Sequence, residues 1–462
     1  MRKFIKSRSA PLGVIPLGTT ATLALVAGLC WCAPALSQTT TIKVGYSSAY
    51  VFDEDEDSVT YWNEIKKEFE AAHPGVTLEL QPHGGTDTDE MNAIALQYRS
   101  PSTTPDLIQL PTTYIGQFES SGYLLPLDKF VSTSQFWQHF PKNIQDEGRI
   151  NGSVYAVDIG ENNTGIYYNK EMLQKAGVTV PWEPHSWNDI LTAARAIKDK
   201  VPGVVPLWVA AGTSAGPTGV LQGSGALIYA SKTPVIYDMN TKKYVIDSPG
   251  LRETLQFYKD VYSGGLGAQL SDLFSPKAVA VPVSLMAQQK LAISVGSNWY
   301  GGAWKEKNRY WADASTQAGA TALPTSEGQP PGQGGTLGGW DMAVSKASKH
   351  PDLAWALIDL IQQPKYMIFL ANKAGFVPPD SQVAQAPDYV DYAPPFNAAF
   401  ATFLPYDKLL PSNSGFAVWA RGIEEATGQI AQDPTTSVPA ALKTLHDTVA
   451  NQLGADEVET MQ

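Results

Sequence analysis

Apolar and polar residues alternate along Thr41-Ile42-Lys43-Val44-Gly45-Tyr46, the two-residue rhythm of a strand with one buried face. After a loop over residues 47–51 the rhythm lengthens. Trp62, Ile65, Phe69 and Ala72 recur at helical spacing, with Glu64, Lys66, Lys67 and Glu68 largely on the other side. Acids between Asp53 and Asp57 precede that helix, where negative charge suits its dipole. His73-Pro74-Gly75 ends it, and a second strand follows over residues 76–80. A helix is expected over 87–98 and a third strand over 105–110. A β-α-β opening predicts an α/β fold, a parallel sheet covered by helices. It sets the loops at 47–50, 84–87 and 111–114 along one rim, where such sheets collect ligands.

The stretch from Tyr155 to Leu173 reads as a strand, a polar Gly-punctuated break over 161–165, a second strand over 166–168, and a helix starting at Asn169. Glu161, Asn162 and Asn163 in the break combine acceptors with groups that both donate and accept, which is what fixing hydroxyls requires. A self-satisfied turn accounts for the same residues equally well, because Asn and Gly are turn formers.

Composition narrows the class. Arg2, Lys3, Lys6 and Arg8, with no acid among them, lead into an apolar run ending near Cys32, and Ala35-Leu36-Ser37 supplies small residues for cleavage before Gln38. A cleavable Sec-type signal over residues 1–37 is therefore expected, with a periplasmic or otherwise exported product. Leu29 before Cys30 and Trp31 before Cys32 do not suit a lipid anchor. Both cysteines fall inside the signal, so disulfides and thiolate metal sites are not expected in the mature chain. Removing the four basic residues of the leader takes the net charge from −12 to −16, which disfavours nucleic acid as a partner. Charged residues make up 17% of the chain and aromatics 10%, a balance that suits carbohydrate contact, since aromatic rings offer flat apolar faces.

Several fragments resemble the sugar-binding extracellular solute-binding proteins of ABC importers, of the maltose- and trehalose-binding type. They are Phe69-Glu70-Ala71-Ala72-His73-Pro74-Gly75-Val76, Pro105-Asp106-Leu107, residues 121–127, and Gly165-Ile166-Tyr167-Tyr168-Asn169-Lys170-Glu171-Met172-Leu173. Ser186-Trp187-Asn188-Asp189-Ile190, residues 286–293, Gly338-Gly339-Trp340-Asp341-Met342-Ala343-Val344-Ser345-Lys346 and Gly375-Phe376-Val377-Pro378 continue the series in order. The resemblance implies two α/β lobes joined by a multi-crossing hinge that closes over a ligand. Residues 38–157 and 297–337 are assigned to the N-terminal lobe, and 158–296 and 338–462 to the C-terminal lobe. Crossings are expected near 157–160, 293–296 and 338–341. The implied partners are a sugar, most simply a di- or oligosaccharide, and the permease subunits of an importer. The implied state is a monomer, with no cofactor and no enzymatic activity.

A sugar cleft needs ring faces and hydroxyl partners from both lobes. The candidates are Tyr50 and Asp87 from the first lobe, and Glu161, Asn162, Asn163, Trp299, Tyr300, Trp340, Asp341 and Arg421 from the crossings and the second lobe. Core between the lobes is the alternative place for Trp340, and Phe376 and Trp419 read as core. The adjacent Tyr167 and Tyr168 suggest an iron site, but the strand-to-helix pattern explains them better, and the six His form no ligand-spaced pair. No metal site is expected. The rival class is a secreted carbohydrate-active enzyme using Glu161 and Asp341 as acid and base, although no distinctive catalytic motif accompanies them. A polyol or a glycerophosphodiester is the other alternative ligand.

Overall fold

The computed structural model describes residues 39–48, 55–85, 87–307 and 309–462. The expected leader and Tyr50 lie outside them, as does the side chain of Asp87. The chain opens as the pattern predicts, with β1 (Thr40–Ser47), α1 (Asp55–Ala72), β2 (Val76–His83), α2 (Asp87–Gln97) and β3 (Leu107–Pro111). Trp62, Ile65 and Phe69 of α1 are buried, whereas Ala72 at its end is exposed. A short helix α3 (Lys142–Glu147) precedes β4 (Val157–Asn169). There follow α4 (Trp187–Lys200), β5 (Val205–Trp208), α5 (Pro249–Ser263), β6 (Leu291–Ser297), β7 (Ala318–Thr321) and β8 (Gly335–Val344). The chain ends with α6 (Pro351–Ile361), α7 (Pro364–Ala374), β9 (Asp407–Leu409), α8 (Phe416–Gln432) and α9 (Val438–Leu453). None of the described helices is long and apolar enough to cross a membrane.

Local chemistry sets several of these boundaries. Asn169 caps the helix after β4, its side chain accepting from the Met172 N–H at 3.0 Å. Ser186 and Asp189 close a reciprocal capping box at the start of α4. Ser437 likewise caps α9.

These nine strands form one sheet in the order β2-β1-β3-β8-β4-β6-β5, with β7 beside β4 and β9 beside β8, and five shorter strands among the described residues make two small sheets apart from it. Pairs β1–β2 and β1–β3 are parallel, while β8 runs antiparallel to both β3 and β4. Around the first half of the sheet Ile42, Trp62, Leu107, Trp340, Leu357 and Phe376 pack on one face, and Ile94, Ile108, Phe118 and Ala343 on the other. A second core gathers Tyr167, Ile190, Leu207, Leu255, Trp304 and Trp419. Each fully buried side chain of this size contributes roughly 1.5–3 kcal/mol. Both expected α/β lobes are therefore present.

The structure corrects three details. First, residues 161–165 do not break a strand. β4 is continuous because Leu337 to Gly339 pair with Glu161 to Asn163, Gly296 and Ser297 pair with Thr164 and Gly165, and Glu161 exchanges backbone bonds with Val377. Strands from distant parts of the chain flank this stretch, and the Asn163 N–H bonds the Asn298 side chain, which together outweigh the turn preference of Asn and Gly. Second, the allocation of two segments is reversed. Residues 300–323 pack through Tyr300, Trp304, Ala318 and Leu323 into the second core, and residues 337–376 pack through Leu337, Trp340, Leu357 and Phe376 into the first. Third, the crossings are displaced. They lie at Asn163–Thr164 within β4, at the start of β8 near Gly335–Leu337, and at Phe376–Val377. Residues 293–296 stay within the second half of the sheet.

Candidate functional site

The three crossings lie side by side and are tied by buried amides. Asn298 is the knot: its Oδ1 accepts from the Asn163 N–H at 2.9 Å, and its Nδ2 donates to the carbonyls of Glu161 and Gly375 at 3.1 and 2.7 Å. Asn163 donates in turn from Nδ2 to the Phe400 carbonyl and to the Asp407 carboxyl. Burial raises the Asp407 pKa well above the usual carboxylate range, and the bond from Asn163 opposes that rise. The hydroxyls of Thr164 and Thr336, from two different crossings, meet at 2.6 Å.

Beyond these crossings the lobes face one another across a narrow gap. Thr113, Tyr114 and Gln117, from the loop and turn after β3, form one wall, and Pro217, Asn413, Ser414, Phe416 and Ala417 form the other. The space enclosed is about 10 Å³, room for about one water molecule. The walls touch where the Gly116 N–H donates to the Ser412 carbonyl at 2.9 Å. This is a closed arrangement, and only Gly allows it, since a Cβ at Gly116 would lie 2.1 Å from the Ser412 oxygen. Nearby, at the carboxyl ends of β1 and β3, the Ser47 hydroxyl donates to Glu90 at 2.9 Å and its N–H to Gln109 at 3.1 Å. Half-buried His83 completes this polar rim, its pKa lowered by burial.

Thr112, next to Thr113 of the wall, leads to a buried carboxyl cluster. Asp158 and Glu161 of β4, Asp341 of β8 and Glu147 at the end of α3 are at most 2% exposed. Three positions apart, Asp158 and Glu161 belong on opposite faces of a regular strand. Here the register slips: Trp340 faces Gly160 while Asp341 faces Asp158, leaving Ile159 as the extra residue of a bulge. The bulge turns both acids to one face, with Asp341 directly across from Asp158. Gly339 makes space, for a Cβ there would sit 2.9 Å from an Asp158 oxygen. Burial, then the mutual repulsion of the group, raises the pKa of Asp158 and Glu161 well above the usual range, and burial above all raises those of Glu147 and Asp341. The Thr112 hydroxyl donates to Asp341 Oδ2 at 2.8 Å.

The structure separates the residues expected to line the cleft. Glu161 and Asp341 meet in this cluster, and Asn163 is a hinge strut. Asn162 is half-buried opposite Gly338, its Oδ1 enclosed without a hydrogen-bond partner among the described residues. Tyr300 is fully buried and stacks on Tyr167 at 5.0 Å. Trp340 packs into the first core. Trp299 is partly buried beside Tyr300, with the Arg309 guanidinium 5.7 Å from its ring centre. Asp87 opens α2. Arg421 is not gathered with the others: it lies exposed on α8 and pairs with Glu425, one turn away, at 2.9 Å. Phe376 and Trp419 are core, as their sequence context predicts. Both adjacent tyrosine hydroxyls are engaged, Tyr167 with the Asn298 carbonyl and Tyr168 with the Trp182 N–H.

Sequence reasoning did not single out Gln117, Asn413, Ser414, Glu147 or Asp158. For Asp158 the available signal was an acid set between Val157 and Ile159 in an apolar run.

Comparison with known proteins agrees with this architecture. A protein of T. maritima solved with maltose aligns over 89% of this chain and 99% of its own, with a TM-score of 0.73 and 17% identity. The sugar-binding protein MalE of Xanthomonas citri aligns over 90% and 98%, with a TM-score of 0.73 and 20% identity. In sequence, a putative binding protein of Brucella abortus is 25% identical over 368 residues, 77% of this chain and 81% of the relative. The melibiose/raffinose/stachyose-binding protein of Bacillus subtilis is 24% identical over 275 residues, 57% of this chain and 58% of the relative. The profile of the bacterial extracellular solute-binding proteins matches residues 53–368, more than two thirds of the chain. The chain belongs to that family.

Proposed function

We propose that the protein is the exported substrate-binding component of an ABC importer, and that it captures a di- or oligosaccharide between its lobes and presents it to the permease. The observation that carries this reading is the gap: two walls from different lobes, hinged on three adjacent crossings and rimmed by Thr113, Gln117, Asn413 and Ser414. Hydroxyls and amides of that kind exchange hydrogen bonds with sugar hydroxyls. With room for about one water, the gap admits a sugar only when the lobes part. Closure must then be driven by contacts made on both walls. Relatives named for maltose and for raffinose-type sugars support the ligand class. Of the residues nominated from sequence, Asp87, Asn162 and Trp299 are the candidates for direct contact, and Tyr50, outside the described residues, stays a candidate on sequence grounds. Glu161, Asn163, Tyr300, Trp340 and Asp341 act from beneath as floor and hinge. The protein works as a monomer and returns its ligand unchanged.

A thermal-shift screen against mono-, di- and oligosaccharides, polyols, glycerophosphodiesters and iron tests the reading, with the sugars recovered and chromatographed. A saturable rise in melting temperature with an intact di- or oligosaccharide is expected. Gln117→Ala and Asn413→Ala, one from each wall, should each weaken binding about tenfold, or 1.4 kcal/mol. A shift with iron or a glycerophosphodiester alone, or a sugar recovered cleaved, would sink it.

A further inference from the structure

The carboxyl cluster gathers four buried acids with no basic side chain paired to them among the described residues. None of the ion pairs among the described residues reaches Glu147, Asp158, Glu161 or Asp341. Taking even one ionised carboxylate out of water without a partner costs several kcal/mol. An apolar residue at any of these positions would avoid that cost, yet a bulge and a glycine bring the four together.

Their geometry points to what could hold them. One oxygen each from Glu147, Asp158 and Glu161 lies within 4.8 Å of the others. Oxygens no farther apart than that can share one ion whose ligands sit about 2.4 Å from its centre. Asp341 is a second, separate observation. It is fully buried, comes from a different strand and faces Asp158 in register. Its Oδ2 is taken by Thr112, while Oδ1 has no hydrogen-bond partner among the described residues. All the donors are hard oxygens, without sulfur or imidazole, which selects calcium, magnesium or manganese over zinc or copper.

We propose that Glu147, Asp158, Glu161 and Asp341 form a buried binding site for one divalent cation of the calcium type, set behind the sugar gap. The ion joins α3, β4 and β8 where β4 leaves the first lobe, and so stiffens the base on which the lobes turn. This site stands independently of the sugar reading.

The test uses the purified protein, first analysed for bound metal and then stripped with a chelator and desalted. Calorimetric titration with CaCl₂, and separately with MgCl₂ and MnCl₂, should show one ion bound per chain for at least one of the three, with a matching rise in melting temperature. Asp341→Asn and Glu161→Gln should each weaken that binding at least about tenfold. If the purified protein carries no metal and none of the three salts gives saturable binding up to about 1 mM, the proposal is overturned. It is equally overturned if both variants bind as the parent does, which would place the ion on the acidic surface. Should the variants fail to fold, the parent protein still decides. Tb³⁺ in this site lies near Trp340, the neighbour of Asp341, so tryptophan-excited terbium emission must saturate at one equivalent and be displaced by CaCl₂. Its absence would refute the site.

Discussion

Glu424 shows what a single side chain can do to this fold. It lies in α8 at 6% exposure, and burial pushes its carboxyl up to about 8, with Arg421 acting in the opposite direction. A carboxyl held above its unfolded value near 4.5 binds its proton more tightly in the folded state. Its contribution to stability is therefore present below the unfolded value and lost as pH rises toward 8. Glu424→Gln should melt higher than the parent protein at pH 8, with the difference closing by pH 5. Melting curves across that range check this, and a constant difference would refute the assignment. The nominated site residues also show where sequence fails at this scale. Tyr300 and Trp340 are nominated as cleft aromatics, yet both are buried among core residues. Flanking Gly signals a close approach of backbone or ring, as between Gly296 and the Tyr300 ring, without saying on which side water lies.

At the scale of elements, the opening β-α-β, the amphipathic face of α6 and the capped last helix are all legible, because each rests on local periodicity or capping. The continuity of β4 is not. Its polar centre looks like a turn until Val377, Gly339 and Gly296 supply ladder partners from distant parts of the chain. The same holds for the bulge at Ile159, which follows from how β4 aligns with β8 and leaves no local mark. Asn298 joins these pieces, and Asn298→Ala would strand the Gly375 carbonyl and the Asn163 N–H together and leave the Glu161 carbonyl with the Val377 N–H alone. The loss should be about 3 kcal/mol of stability, read from denaturant midpoints at an unchanged slope. A loss under about 0.5 kcal/mol would mean that water or a shifted backbone replaces the amide.

At the scale of the molecule, two lobes were legible from the ordered resemblance of fragments across the chain. Which segments belong to which lobe was not, because that depends on where the strands cross. The closed contact at Gly116 offers a test of closure that leaves each lobe's core intact. Gly116→Ala puts a methyl against the Ser412 carbonyl only when the walls meet. Sugar affinity should fall about tenfold or more while the melting temperature of the sugar-free protein stays within about a degree or rises. Unchanged affinity would show that ligand is held without this contact. The interleaving of the lobes also bears on synthesis. β8 sits between β3 and β4, which are made long before it, so the first lobe's sheet is incomplete until residue 344 of 462 has been made. The second lobe waits longer, for α8 and α9. A nascent chain of this design cannot finish either half early, and native pairing is deferred until most of the polypeptide exists. In the exported role proposed above, that delay would keep the chain threadable during translocation.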